Sequence, residues 1–118
     1  YRTLHVSEGF SNHLHAEPSM GRVDVIYVDA DTGRRLCSDS TTSFNAGGRA
    51  IPVPRAEHLA AMKIHAMKND PSRTYREMAD LQFLLGLPGV DEQEVRGYFS
   101  KAGLSERYDE LKKIRRAD

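Results

Sequence analysis

The punctuation of residues 54–118 constrains the fold more than any other feature. Helical periodicities there are interrupted at Asp70-Pro71, at Gly86 with Pro88, and at Gly103; Pro and Gly at such offsets end one helix and open the next. The first helix runs from about Ala56 to Lys68. At roughly 100° per residue it gathers Leu59, Ala60, Ile64 and Met67 on an arc of about 140°, leaving Glu57, His65 and Lys68 outside. Asp70 as cap and Pro71 at the first helical position open a second helix, about Ser72 to Leu85, whose buried side reads as Tyr75, Met78, Ala79, Leu81 and Leu85. A third begins at Asp91, with Glu94 in capping-box position and Val90 and Val95 in staple positions, and it buries Val95, Tyr98, Phe99 and Ala102. Gly103 closes it, Ser105 caps a last helix, and Leu104, Tyr108 and Leu111 form that helix's single stripe.

Residues 1–53 read differently, as short alternating stretches. The clearest is a strand over Arg22 to Val28, where Val23, Val25 and Tyr27 face one way and Asp24, Ile26 and Val28 the other. Asp29 to Gly33 reads as a turn, Arg34 to Ser38 as the returning hairpin partner, and Ile51 to Val53 as a further short strand. Tyr1 to Val6 and Gly9 to His15 are also expected as strands, and Ser43 to Arg49, with Gly47-Gly48, as a loop. The 118 residues suit one core. The expected fold is therefore a single α/β (α+β) domain over 1–118: a small mixed or antiparallel sheet in 1–53, then three to four helices in 54–118 packed on it.

Charge narrows the partners. Seventeen Lys and Arg balance seventeen Asp and Glu, so composition gives no reason to invoke DNA or an anionic membrane, although a local basic patch stays open. No apolar run approaches the roughly 18 residues that span a bilayer. The single cysteine, Cys37, leaves no intramolecular disulfide and suits a cytoplasmic setting.

Two charges stand on otherwise apolar faces. Asp24 alternates with Ile26 and Val28, and a buried carboxylate needs a metal ion, a substrate hydroxyl or a basic side chain as partner; on a wet sheet face, Arg22 or Arg35 would serve. Lys63 projects from within the apolar arc of the first helix, either snorkelling to water or delivering a cation to a cleft where it can grip phosphates. Arg73 with Glu77 and Arg76 with Asp80 are i,i+4 pairs on the second helix, on a face that also carries Leu84. His13 and His15 would share a strand face, a weak hint of a metal site, whereas His58 and His65 lie on a polar helix face. No nucleophile-elbow, Walker or dinucleotide-binding glycine motif is present.

Together, the strand RVDVIYV (Arg22 to Val28), the segment IPVP (Ile51 to Pro54) and the stretch EHLAAMKIHAMKNDPSRTYREMADLQFLL (Glu57 to Leu85) resemble the later part of nucleotidyltransferase-fold proteins related to the AbiE-type abortive-infection toxins. The likeness covers roughly residues 20–86. The matching positions are Asp24 in an hDh strand, Lys63 and Ala66 in "Lys-x-x-Ala", Arg73, and Arg76-Glu77-x-x-Asp80-Leu81 where Lys-Asp-x-x-Asp-Leu is commoner. The resemblance implies that Asp24 is a metal-ligating carboxylate for Mg2+, with Lys63, Arg73, Arg76 and Asp80 bordering the cleft of a nucleoside triphosphate. It further implies transfer of a nucleotidyl group to a protein or RNA acceptor, as a toxin with an antitoxin partner. The Gly-Ser segment and Asp-x-Asp pair of that family have no counterpart in these residues. Either they precede Tyr1 in a longer protein, or the fold is degenerate and serves as a non-catalytic protein-binding module.

Overall fold

The computed structural model describes residues 1–38 and 42–117, which form a mixed α+β structure. It divides into two compact units at residue 38. In the first, β1 (Arg2–Val6), β2 (Phe10–Leu14) and β3 (Arg22–Ile26) form an antiparallel sheet in the order β1-β2-β3. Asn12 pairs with Asp24 and Ser11 with Val25. The pleat therefore sets Phe10, Asn12, Leu14, Asp24 and Ile26 on one face and Ser11, His13, Val23 and Val25 on the other. Both faces are largely open: Ile26 is 60% and Val23 42% exposed, and Ser11 is the one buried side chain of the sheet. The apolar face expected around Asp24 is thus a wet one.

The expected strand Arg22 to Val28 ends at Ile26, and the expected turn and returning strand from Asp29 to Ser38 are instead one helix, α1 (Ala30–Ser38). The cause is local. Thr32 N donates to Asp29 Oδ1 at 2.7 Å, an N-cap bond, and Asp31 pairs with Arg35 one turn on at 3.1 Å. That cap bond is also the leading reason the Asp29 carboxyl titrates below its ordinary range.

The second unit opens with a hairpin, β4 (Thr42–Ala46) and β5 (Arg49–Val53), where a loop was expected over Ser43 to Arg49. Gly47 and Gly48 have φ of 57° and 79°. Two successive positive φ values define the tight turn whose twist matches paired strands, and glycine adopts them without strain. Four helices follow: α2 (Ala56–Asn69), α3 (Thr74–Leu85), α4 (Glu92–Lys101) and α5 (Ser105–Ala117). Their ends are set as the punctuation predicts. Asp70 accepts from Ser72 N at 3.2 Å ahead of a single 3-10 turn, Pro71–Arg73, and Asp91 accepts from Glu94 N at 3.1 Å. Gly103, with φ of 73°, ends α4 while Leu104 N reaches back to Phe99 O at 2.8 Å, the Schellman pattern.

The helices bury their apolar stripes against one another. Among the described residues the buried apolar side chains are Ala60, Ile64 and Met67 from α2, Leu81, Leu84 and Leu85 from α3, Val95 and Phe99 from α4, and Tyr108 and Leu111 from α5. Phe99 and Tyr108 meet with ring centroids 5.7 Å apart. The stripes of α2, α4 and α5 match the periodicity, except that Glu57, expected outside the arc, is buried. α3 is rotated relative to the expected face. Tyr75 is 92% exposed and Ala79 is exposed, whereas Glu77 and Leu84 are buried. Leu81 and Leu85 point inward on either face; the observed one adds Leu84 in place of Tyr75 and Ala79, and Glu77, on the same side of the helix as Leu84, goes in with it.

Candidate functional site

Rotation of α3 creates a cluster of four charged side chains in the second unit. Glu77 is fully buried, with 0% of its side chain exposed. Arg73 Nη2 reaches its Oε1 at 2.8 Å, and Lys63 Nζ lies 3.2 Å from its Oε2. The Lys63 contact falls short of a directed hydrogen bond, so Oε2 is neutralised mainly by charge. Lys63 Nζ also donates to Asp80 Oδ2 at 2.7 Å. The four side chains form a chain of alternating charge, Arg73–Glu77–Lys63–Asp80. One carboxylate is wholly inside, and the other three groups are 47%, 35% and 49% exposed respectively.

Each position is set by its place on its helix once the core-facing sides are fixed. Lys63 and Ile64 are neighbours on α2, so with Ile64 facing the core Lys63 lies at the edge of the α2–α3 seam, where its stem is covered and its ammonium reaches α3. Glu77 and Asp80 are three apart on α3 and so share a flank; Arg73 sits one turn before Glu77, in the Pro71–Arg73 turn. Burial works against the Lys63 ammonium, but Asp80 and Glu77 outweigh it and raise its pKa. The group is therefore a fixed cation at neutral pH.

The expected solvent pair Arg76–Asp80 is replaced by Lys63–Asp80, with Arg76 exposed on α3 outside the cluster. The other expected pair, Arg73–Glu77, forms, with its carboxylate buried rather than on a solvated face. Of the residues singled out by sequence, Lys63, Arg73 and Asp80 come together around Glu77.

Asp24 belongs to the first unit. Asn12 Nδ2 donates to its Oδ1 at 2.7 Å; Arg22 forks onto both oxygens, Nε at 2.9 Å and Nη2 at 3.0 Å. The Asn12 bond, followed by Arg22, holds the Asp24 carboxyl below its ordinary range. Both oxygens are engaged by N–H donors beside a fixed guanidinium. Mg2+ takes about six oxygen ligands in near-octahedral geometry, and Asp24 in this arrangement does not fit it. Among the described residues no group of three or more His, Cys, Asp or Glu side chains gathers to hold a metal ion. His13 bonds Ser11 Oγ through Nε2 at 2.9 Å and Thr3 Oγ1 through Nδ1 at 3.2 Å, while His15 Nδ1 accepts from Glu17 N at 2.9 Å.

A second polar network escaped sequence reasoning. Arg55 Nη2 bridges Glu57 Oε2 at 3.3 Å and Glu94 Oε1 at 3.1 Å, and Tyr98 OH donates to Glu94 Oε2 at 2.8 Å. It ties the start of α2 to α4 and explains how Glu57 is buried. It also diverts the Glu94 carboxylate from the capping-box partner that its spacing from Asp91 suggests. Burial, then Glu94, pushes the Tyr98 hydroxyl up to about 12. The only sequence signal was the spacing of Glu94 and Tyr98, one helical turn apart.

No helix of the described residues is long and apolar enough to cross a membrane. Compared with protein-family models, curated proteins and solved structures, the chain matches none.

Proposed function

We propose that this chain is part of a nucleotidyltransferase-like protein that binds a nucleoside triphosphate and passes its nucleotidyl group to a protein or RNA acceptor, with Lys63 and Arg73 as phosphate-facing cations. The observation that carries the proposal is the convergence of Lys63, Arg73 and Asp80, three of the positions singled out by the resemblance, on the buried carboxylate of Glu77. Glu77 anchors both cations, so their positions are set before a ligand arrives, which lowers the ordering cost of binding. Asp80 is the exchangeable partner. Half exposed, it can give up Lys63 to a phosphate oxygen at small cost, because exposed ion pairs are worth about 0–1 kcal/mol. The setting is cytoplasmic, where nucleoside triphosphates abound, and a toxin of this kind would be held in check by an antitoxin.

The test uses the full-length protein and a fluorescent triphosphate analogue. Asp80→Asn removes the carboxylate that competes for Lys63 and is expected to tighten triphosphate binding several-fold, whereas Lys63→Met is expected to weaken it at least about tenfold. Unchanged affinity in both variants, with helix content retained, refutes a nucleotide role for the cluster. A second reading draws on the engagement of Asp24 by Arg22 and Asn12: the non-catalytic protein-binding module. No nucleotidyl transfer and no triphosphate binding by the unaltered full-length protein would favour it.

A further inference from the structure

The outer face of α3 is the most exposed aromatic surface on the helices. Tyr75 is 92% and Phe83 71% exposed, eight residues apart on one flank with Ala79 between them. At about 100° per residue Ala79 lies within roughly 40° of each aromatic, so the three form one continuous ridge with a small residue at its middle. Ser72, in the turn before α3, and Gly86, just past its end, are small and exposed. Solvent-facing helix surfaces do not ordinarily carry two aromatic rings in register.

We propose that this face associates with a second copy of the same chain, the two α3 helices running antiparallel about a two-fold axis at Ala79. Three features argue for self-pairing. Large, small and large side chains are placed symmetrically about Ala79, which lets two backbones approach closely at the centre, as an isologous interface requires. Arg76 lies on the Phe83 side of the ridge, three residues before Ala79 where Phe83 is four after it. In an antiparallel pair each Arg76 therefore meets Phe83 of the second copy, a cation over an aromatic ring. Arg76 is exposed, and Asp80 leaves it unused within its own chain by turning to Lys63. Each copy thus offers the unused Arg76 of the other an exposed aromatic face.

Area sets the strength. Aromatic side chains bury about 150–250 Å² each when covered, so Tyr75 and Phe83 supply about 250–400 Å² per copy at their observed exposure. A stable interface buries about 800 Å² per partner, so the pair is weak and forms only at high micromolar concentration. The inference is independent of what the charge cluster binds.

The experiment uses the full-length protein with Cys37 and any other native cysteine replaced by serine. Ala79→Cys places a thiol on the axis, where two helices in close contact come within the roughly 4.4–6.8 Å Cα separation that a disulfide spans. Mild oxidation at about 200 µM protein should give a covalent dimer as the main product, and Lys68→Cys, exposed on α2, should give little. Adding Tyr75→Ser and Phe83→Ser should cut Ala79→Cys cross-linking at least tenfold without loss of helix content. Sedimentation velocity of the otherwise unaltered protein should show mass increasing between about 5 µM and about 500 µM, the span over which a weak pair assembles. A protein monomeric across that range, cross-linking at Ala79→Cys no greater than at Lys68→Cys, or cross-linking indifferent to loss of both aromatics, overturns the proposal.

Discussion

Lys63→Met removes one of two counter-charges from a carboxylate with no exposure to water. Breaking a buried ion pair by deleting one partner costs about 3–5 kcal/mol, because the remaining charge is stranded. Two observations reduce that figure here. Arg73 stays at 2.8 Å from Glu77 Oε1, and Lys63 itself is 35% exposed, so solvent already screens part of its field. About 2 kcal/mol is left. Asp80, half exposed, rehydrates at little cost. For a unit of this size that loss lowers the melting temperature by about 10 °C. The decisive arm is the same change in a Glu77→Leu background, where there is no buried carboxylate to strand and the cost of Lys63→Met should fall below about 0.5 kcal/mol. Urea denaturation followed by helical circular dichroism measures both arms. If Lys63→Met costs the same with and without Glu77, the Lys63 stem matters for packing alone and the buried-charge account of this cluster is wrong.

Two further outcomes follow from the helical core. Phe99→Ala, at a position with 0% exposure against Tyr108, should destabilise by about 3–5 kcal/mol in the same denaturation assay, and a cost under about 1 kcal/mol would show that the core is not packed as described. Tyr98 should ionise near 12 in a spectrophotometric titration from which Tyr98→Phe removes one phenolate step. Because the folded value lies above the ordinary value of about 10, the native state holds this proton more tightly; stability from it is complete below about pH 10 and declines as pH rises toward 12. An ordinary Tyr98 titration would mean that its hydroxyl is neither covered nor held by Glu94 in solution.

What the sequence determined by itself was where helices start and stop in residues 54–118. Asp70, Asp91 and Gly103 act on backbone groups within a few residues of themselves, so their effect needs no distant partner. The same local chemistry was present at Asp29 and in the Gly47-Gly48 pair, where short alternating stretches drew attention to strand periodicity, or to its absence, and away from a cap and a tight turn. Lys63, Arg73 and Asp80 were legible as candidates because charges near an apolar stripe are conspicuous.

Tertiary structure decided which charges are inside and whom they meet. Nothing in the spacing of Arg73, Arg76, Glu77 and Asp80 distinguishes two surface pairs from one buried carboxylate with two cations. The choice was made when Leu81, Leu84 and Leu85 turned inward, which buried Glu77 and brought Asp80 to Lys63 of a neighbouring helix. Likewise, strand alternation assigned Asp24 to a face, but only the sheet's exposure and the neighbouring Asn12 and Arg22 made it a solvated, fully paired carboxylate. Caps and turns are interactions along the chain, and so they are written in it. Burial and counter-charge are interactions across it, and they exist only once the helices have chosen which faces to hide.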